Sequence, residues 1–197
     1  MAKVTAPLFS FTARGKLADS IVFFPWKGIA AVRTYVVPSN PNSQNQQTQR
    51  GYLSDAVAEW HDAGYSAGDN VAWNTFAGLM KQAMSGFNRF CREFIKEAIL
   101  GNTWTSIHDC VISAVTDDGF TVNVTKVSGG DAPHLFYGTS KTALLTDEAM
   151  ADQTGNDWEV ALSGLAPDTM YYFTIKVGAS GSDYGCLGVY AQRTAAS

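Results

Sequence analysis

Hydrophobic and polar positions change their spacing twice along the chain. From residue 7 to residue 37, Val, Ile, Phe and Tyr are dense and glycines separate the runs, as in "SIVFFPW" followed by "KG" and "IAAVRTYVV". Such runs favour strands. Pro25 cannot donate to a strand ladder, so it marks a strand end or a free edge. We expect a small meander of two or three strands that needs a helix or another subunit on its apolar face.

The next stretch, "PSNPNSQNQQTQRGY" at residues 38–52, contains no Val, Ile, Leu, Met or Phe. It could be a disordered linker, a glycan-binding strip or the beginning of a helix. Asn40 and Pro41 have the pattern of an N-cap followed by proline, and Ser43 with Gln46 has the pattern of a capping box. We interpret the stretch as the beginning of a helix whose side-chain amides hydrogen-bond to open strand edges. Solvated polar side chains at a helix start are an equal alternative.

Three stretches then place apolar residues at helical spacing. They cover residues 53–63, 66–83 and 87–98, and glycines at 64, 86 and 101 separate or end them. We interpret their Trp and Phe stripes as packed core rather than as a cofactor site.

From Thr103 the spacing changes again, to short alternating segments. "FTVNVTKV", "HLFYGTS" and "TMYYFTIKV" are separated by "SGGDAP" and by turns such as "GLAPD". This pattern favours a β-sandwich. The predicted fold class is an α+β N-terminal domain over residues 1–101, a small β-meander plus three amphipathic helices, followed by an all-β immunoglobulin-like sandwich over residues 102–197.

Charge is distributed unevenly over these two predicted domains. Residues 1–101 carry ten Lys and Arg against seven Asp and Glu, a net charge of +3, whereas residues 102–197 carry four against eleven, a net charge of −7. The basic excess is either a solvated face or a surface docked on an acidic neighbour. No two basic residues are adjacent, so we favour a protein neighbour over nucleic acid. No apolar run is long enough for a membrane span.

Residues with reactive or metal-binding side chains are scattered. Cys91, Cys110 and Cys186 are widely spaced, as are the three histidines, and no CxxC or HxxxH motif occurs. There is no P-loop and no GxGxxG motif either. We expect a protein that is not an enzyme and that needs neither a metal nor a cofactor.

The segment "WEVALSGLAPDTMYYFTIKV" resembles the corresponding region of fibronectin type III domains. The family pattern Leu-x-Pro-x-Thr-x-Tyr is matched by Leu165, Pro167, Thr169 and Tyr171. The resemblance implies a structural corner, in which the Tyr171 hydroxyl bonds backbone a few residues upstream and Leu165 closes the end of the sandwich. The family's tryptophan in the second strand has no counterpart, although Trp104 or Trp158 could supply a comparable volume.

The N-terminal half resembles uncharacterised proteins of tailed phages and prophages. The resemblance lies in "GKLADSIVFFPWKGIAAVRTYVVPSNPNSQNQQTQRGYLSDAVAEW" and in the later "AWNTFA" and "SGFNRF". It includes Lys27, Gly28, Arg33, Gln47 and Arg50. The resemblance implies association with a virion and no activity.

These observations lead us to expect a non-enzymatic structural protein of a tailed-phage virion. Residues 1–101 would anchor it to the capsid surface, connector or tail, and the sandwich would be displayed outward. Its partners would be other virion proteins, and it would form a homo-oligomer in the assembly. The start, "MAKVTAPLFSF", lacks a secretory signal, so we expect synthesis in the host cytoplasm. The candidate contact residues are Lys27, Arg33, Gln44, Gln46, Gln47 and Arg50.

The alternative is a module that binds carbohydrates or cell surfaces. Tyr184, Tyr190 and Trp158 would then form an exposed aromatic cluster that stacks on sugar rings of host surface glycans. A glycan-binding module would be monomeric with a saturable ligand, whereas a virion component would be present in particles in fixed copy number.

Overall fold

We describe the protein from a computed structural model that covers residues 2–3, 13–37, 39, 42–126, 131–178 and 183–197. The chain forms two compact units, Met1–Ser43 and Gln44–Ser197. Most of the first predicted strand, residues 7–12, and the predicted cap at Asn40 and Pro41 lie outside the described residues. None of the helices in the described ranges is both long and apolar enough to cross a membrane.

The first unit contains one antiparallel sheet of four strands in the order β1-β4-β3-β2. The strands are β1 (Ala2–Lys3), β2 (Gly15–Leu17), β3 (Ile21–Trp26) and β4 (Ile29–Thr34). Lys27 and Gly28 form the two-residue turn between β3 and β4, and both have positive φ, 49° and 80°. Such a turn matches the twist of the flanking strands and closes a hairpin in which Trp26 pairs with Ile29.

The second unit begins with three helices, as the apolar spacing predicted. They are α1 (Gln44–Asp62), α2 (Ala67–Gly78) and α3 (Gly86–Leu100). A capping box between Ser66 and Asp69 starts α2, and Gly101, with φ of 81°, ends α3. The predicted second helix extended to residue 83, but α2 ends at Gly78. The amide groups of Leu79 and Met80 bond back only three residues, to Phe76 and Ala77, which tightens and closes the last turn.

Two sheets follow the helices in the second unit. One has the order β10-β11-β7-β6, and the other has the order β5-β13-β12-β8-β9 with β14 also paired to β12. The strands are β5 (Thr103–Trp104), β6 (Ile107–Ser113), β7 (Phe120–Lys126), β8 (His134–Gly138), β9 (Thr146–Ala149), β10 (Ala151–Asp152), β11 (Asp157–Leu162), β12 (Met170–Val177), β13 (Asp183–Cys186) and β14 (Tyr190–Arg193).

The facing sides of the two sheets form a continuous hydrophobic core. Along β7, the side chains of Phe120, Val122 and Val124 are buried and alternate with more exposed ones, which is the period of a half-buried strand. Phe173 and Ile175 of β12 are completely buried in the same cluster. The alternating pattern that predicted a sandwich therefore corresponds to sandwich-like sheets.

A second core joins the helices to the sheets. Phe90, Cys91 and the completely buried Trp73 form it together with Cys186 of β13, and Trp104 of β5 packs against it. In the other direction, Ala72 of α2 belongs to the core between the sheets. The helices and the sandwich thus share one compact unit. The compact units divide at residues 43 and 44. A domain boundary at residues 101 and 102 stays a prediction.

Candidate functional site

The hairpin of β3 and β4 presents one face on which apolar side chains lie beside the basic side chain of Arg33. Strand pairing places Val22 beside Arg33 and Phe24 beside Ala31, on the same side as the pair of Trp26 and Ile29. The Arg33 guanidinium lies over the Phe24 ring, 5.4 Å from its centroid. We call this surface the docking face and define it by Val22, Phe24, Trp26, Ile29 and Arg33.

Large apolar side chains of the docking face are open to solvent. Trp26 is 54% exposed and Ile29 is 45% exposed, and Ala31 is the one buried hydrophobic residue among the described residues of the first unit. Residues 1–43 carry five Lys and Arg against one Asp, a net charge of +4, so residues 44–197 carry −8. An exposed apolar surface with basic side chains is suited to an acidic protein partner.

The structure divides the predicted contact residues between the two units. Lys27 is exposed at the hairpin turn and Arg33 lies on the docking face, both in the first unit. The amide-rich stretch enters α1, as its pattern predicted, and the remaining candidates are exposed on the first two turns of this helix in the second unit: Gln44, Gln46, Gln47 and Arg50.

At the opposite end of the chain, Leu165, Pro167, Thr169 and Tyr171 surround the turn before β12. The Ala166 amide donates a hydrogen bond to the Tyr171 hydroxyl over 3.0 Å, and Leu165 and Tyr171 are both buried in the sandwich core. The Thr169 hydroxyl donates to the Pro167 carbonyl over 2.8 Å. These bonds satisfy backbone groups in the turn and tie it to the core.

The aromatic residues proposed for sugar stacking do not form an exposed cluster. Tyr190 is buried, its ring stacks on Phe173, and its hydroxyl donates to Asp69. Tyr184 packs on Trp104, whereas Trp158 packs against the core between the sheets beneath the Lys126 ammonium. Neither Trp104, which lies in the helix core, nor Trp158 is central in the sandwich.

Asp69 is a buried residue whose wider role the sequence analysis missed. Its carboxylate is completely buried and accepts hydrogen bonds from the amides of Ser66, Asp109 and Cys110 and from the Tyr190 hydroxyl. Residues 109 and 110 form a bulge in β6, where the register with β7 shifts, so their amides have no partner in that ladder. Asp69 supplies the missing acceptors and thereby fastens α2 to both sheets.

The cysteines are in environments that suppress thiol chemistry. Cys91, Cys110 and Cys186 are free thiols. Burial, with Glu93 nearby, raises the pKa of Cys186 to about 12, and burial likewise raises the pKa of Cys110. Both thiols therefore stay protonated at neutral pH and are poor nucleophiles. In the part of the chain that the structure describes, no three or more His, Cys, Asp or Glu side chains are placed to hold a metal.

Comparisons with known proteins find similarity only at the level of solved structures. No family model and no curated protein matches the chain. Fibronectin type III domains are among the similar structures and correspond to about half of the chain.

Three of the similar structures are 12% to 16% identical to this chain. A fibronectin type III domain from human KIAA0970 is 16% identical, with a TM-score of 0.32, over 51% of this chain and 77% of that one. The FN1–FN3 domains of chicken CNTN1 are 16% identical, with a TM-score of 0.35, over 48% of this chain and 31% of theirs. PhoD is 12% identical, with a TM-score of 0.36, over 45% of this chain; the similar region spans 19% of PhoD.

Proposed function

We propose that this chain is a non-enzymatic structural protein of a tailed-phage virion, anchored by its N-terminal sheet and displaying its sandwich outward. The observation that carries the proposal is the open sheet of the first unit. Trp26 and Ile29 are about half exposed on a sheet whose described residues include one buried hydrophobic side chain. A sheet gains stability when another surface covers its apolar face, so we expect this unit to bind a partner.

The charge of the two units supports the same division of roles. The +4 charge of residues 1–43 favours contact with an acidic protein surface, whereas the −8 charge of residues 44–197 favours solubility and opposes close self-packing. The partners we propose are other virion proteins, with several copies of this chain in each particle. The amide-rich first turns of α1, with Gln44, Gln46, Gln47 and Arg50, lie next in sequence and would extend the contact.

The test is incorporation into particles of the phage whose genome encodes the chain. A full-length double variant, Trp26→Ser with Ile29→Ser, removes the exposed apolar pair of the docking face. The matched control, Leu53→Ser with Val71→Ser, removes two side chains of the second unit that are 49% and 66% exposed. Both variants are compared with the unchanged chain in gradient-purified particles by quantitative mass spectrometry.

We expect the docking-face variant to be at least about 10-fold depleted from particles, which corresponds to about 1.4 kcal/mol of lost contact, and the control to be retained. Absence of the unchanged chain from particles would refute the virion proposal. Equal incorporation of both variants would refute the docking face as the anchor and leave the virion assignment standing.

A further inference from the structure

An open groove of about 490 Å³ lies within the second unit. One wall comes from α2 and α3, through Phe76 and Arg89, and the floor comes from Thr174 and Lys176 on the outer side of β12. The other wall is the connection between β8 and β9, which includes Leu145. The groove is distinct from the docking face, which belongs to the first unit, so an inference about it does not rest on the proposed anchoring role.

The helical wall of the groove carries an ion pair within the chain. Arg89 and Glu93 lie one helical turn apart, their charged groups are 2.9 Å apart, and each side chain is only 11% exposed. The Arg89 guanidinium also stacks over the Phe76 ring, 4.0 Å from its centroid. Because these two charges neutralise each other, the helical wall is a rigid surface with little net charge.

The floor and the other wall of the groove carry two lysines, Lys176 and Lys141, that have no carboxylate partner among the described residues. Lys141 lies over the Tyr172 ring and Lys176 over the Phe136 ring, at 5.3 and 5.1 Å from the centroids. Residues 102–197 contain only two other Lys or Arg residues. Of these, Lys126 donates to the Asp131 carbonyl, and Arg193 pairs with Asp168. The available positive charge of an acidic sandwich is therefore concentrated at this groove.

Aliphatic side chains line the groove beside the two lysines. Leu79, Leu144 and Val189 contribute to it, and Leu145 is 86% exposed at its rim. The aromatic rings in the lining are engaged, since Arg89 covers Phe76 and Tyr184 packs on Trp104. Sugars stack on open aromatic faces, whereas aliphatic surfaces bind apolar side chains, so this lining favours a peptide over a glycan.

We propose that the groove binds a short acidic peptide segment of a partner protein. A Glu or Asp carboxylate of the segment pairs with Lys141 and Lys176, and an adjacent apolar side chain packs against Leu144 and Leu145. The two ammonium groups supply charge-assisted hydrogen bonds, and burial of the exposed Leu145 adds apolar contact. The sandwich is then a recognition surface as well as a displayed one.

The probe is a random heptapeptide library displayed on filamentous phage and selected against the immobilised full-length chain. The strongest selected peptides are synthesised with a fluorescent label, and their binding is measured by fluorescence anisotropy at two salt concentrations. The groove variant is Lys141→Gln with Lys176→Gln. The charge-matched control is Lys96→Gln with Arg193→Gln, which removes two positive charges from exposed side chains outside the groove lining. A third variant, Leu145→Ser, removes the apolar rim.

We expect selected peptides with Asp or Glu next to Leu, Ile or Phe, and weaker binding at higher salt. The groove variant should bind them at least about 10-fold more weakly, and the control should bind within about twofold of the unchanged chain. Leu145→Ser should also weaken binding, and because Leu145 is exposed its loss leaves the fold intact. Circular dichroism melts of all variants verify folding.

Three results with peptides would overturn the proposal. They are a selection without enrichment, selected peptides that bind the groove variant as tightly as the unchanged chain, and peptides without acidic residues. An oligogalacturonate is tested in parallel. Binding of this acidic sugar, lost in the groove variant, with no binding of acidic peptides would assign the groove to a glycan and also overturn the proposal.

Discussion

The two units of this protein bury their hydrophobic side chains to very different degrees. In Gln44–Ser197, large side chains such as Trp73, Phe90 and Phe173 are completely buried in two cores, one among the helices and one between the sheets. In Met1–Ser43, Trp26 and Ile29 stay about half exposed on a single sheet. A unit that buries its apolar surface within one chain is stable alone, whereas an open sheet depends on contact with another surface.

The two units also differ in their polar contacts. Asp69 links α2 to β6 and β14 through three accepted hydrogen bonds, so the second unit is fastened across its layers. On the docking face, the charged Arg33 stacks on Phe24 within the same sheet. Substitutions at buried positions of the second unit should therefore change stability, and those on the docking face should change assembly.

The largest effect is expected from Asp69→Ala. It leaves the amides of residues 109 and 110 in the β6 bulge and the buried Tyr190 hydroxyl without an acceptor. We expect a loss of roughly 3–5 kcal/mol in the free energy of unfolding, measured by urea denaturation. Asp55→Ala, at an exposed position of α1, is the control and should change it by less than about 0.5 kcal/mol. Equal effects would mean that Asp69 does not fasten the layers.

A somewhat smaller effect is expected from Gly188→Ala. The connection between β13 and β14 lies against α2, where the Val189 amide donates to the Ala72 carbonyl over 3.1 Å. A Cβ at residue 188 would lie 2.2 Å from the Ala72 carbonyl carbon. We expect the displaced backbone to cost about 1–3 kcal/mol.

The matched control for Gly188→Ala is Gly51→Ala in the middle of α1, where an added Cβ meets nothing within 4 Å. Alanine is the better helix former, so this variant should be more stable by about 0.5–1 kcal/mol. Thermal and urea unfolding of both variants measure whether each substitution lowers or raises the free energy of unfolding. Destabilisation by both variants, or by neither, would contradict the close packing of α2 on the β13–β14 connection.

The smallest effect is expected from Tyr171→Phe. It removes the hydroxyl that accepts a hydrogen bond from the Ala166 amide, while the ring still fills its place in the sandwich core. We expect a loss on the order of 1 kcal/mol, measured by urea denaturation. Tyr172→Phe, on the outer side of the same strand, is the control and should have a smaller effect. No measurable loss for Tyr171→Phe would mean that this bond does not stabilise the corner.

The spacing of apolar residues predicted the helices and most strands, because the buried side chains recur with the period of a helix or of a strand. Phe120, Val122 and Val124 alternate, and Trp73 and Phe76 recur at helical spacing. The strand β9 could not be predicted, since "TDEA" has no apolar alternation and its four side chains are exposed; it is a strand because it pairs with β8.

Contacts between distant segments explain the remaining differences from the sequence analysis. Asp69 follows Ser66 by three residues in the capping box of α2, but its other donors lie 40 or more residues away in the chain. Cys186 packs among helices that end almost ninety positions earlier. No local pattern encodes these contacts. The change of period along the sequence therefore predicts a boundary at residues 101 and 102. The contacts in the folded chain instead define compact units that divide at residues 43 and 44. That residues 102–197 fold alone stays a prediction.

Hydrogen exchange of the isolated full-length chain, monitored by mass spectrometry, tests the contrast between the units most directly. We expect amides of β3 and β4 to exchange at least about 100-fold faster, relative to their intrinsic rates, than those of β7 and β12. We also expect β3 and β4 to become protected when the chain is assembled with its partner. Protection of β3 and β4 equal to that of β7 and β12 in the isolated chain would contradict this contrast, because the first unit would then be stable without a partner.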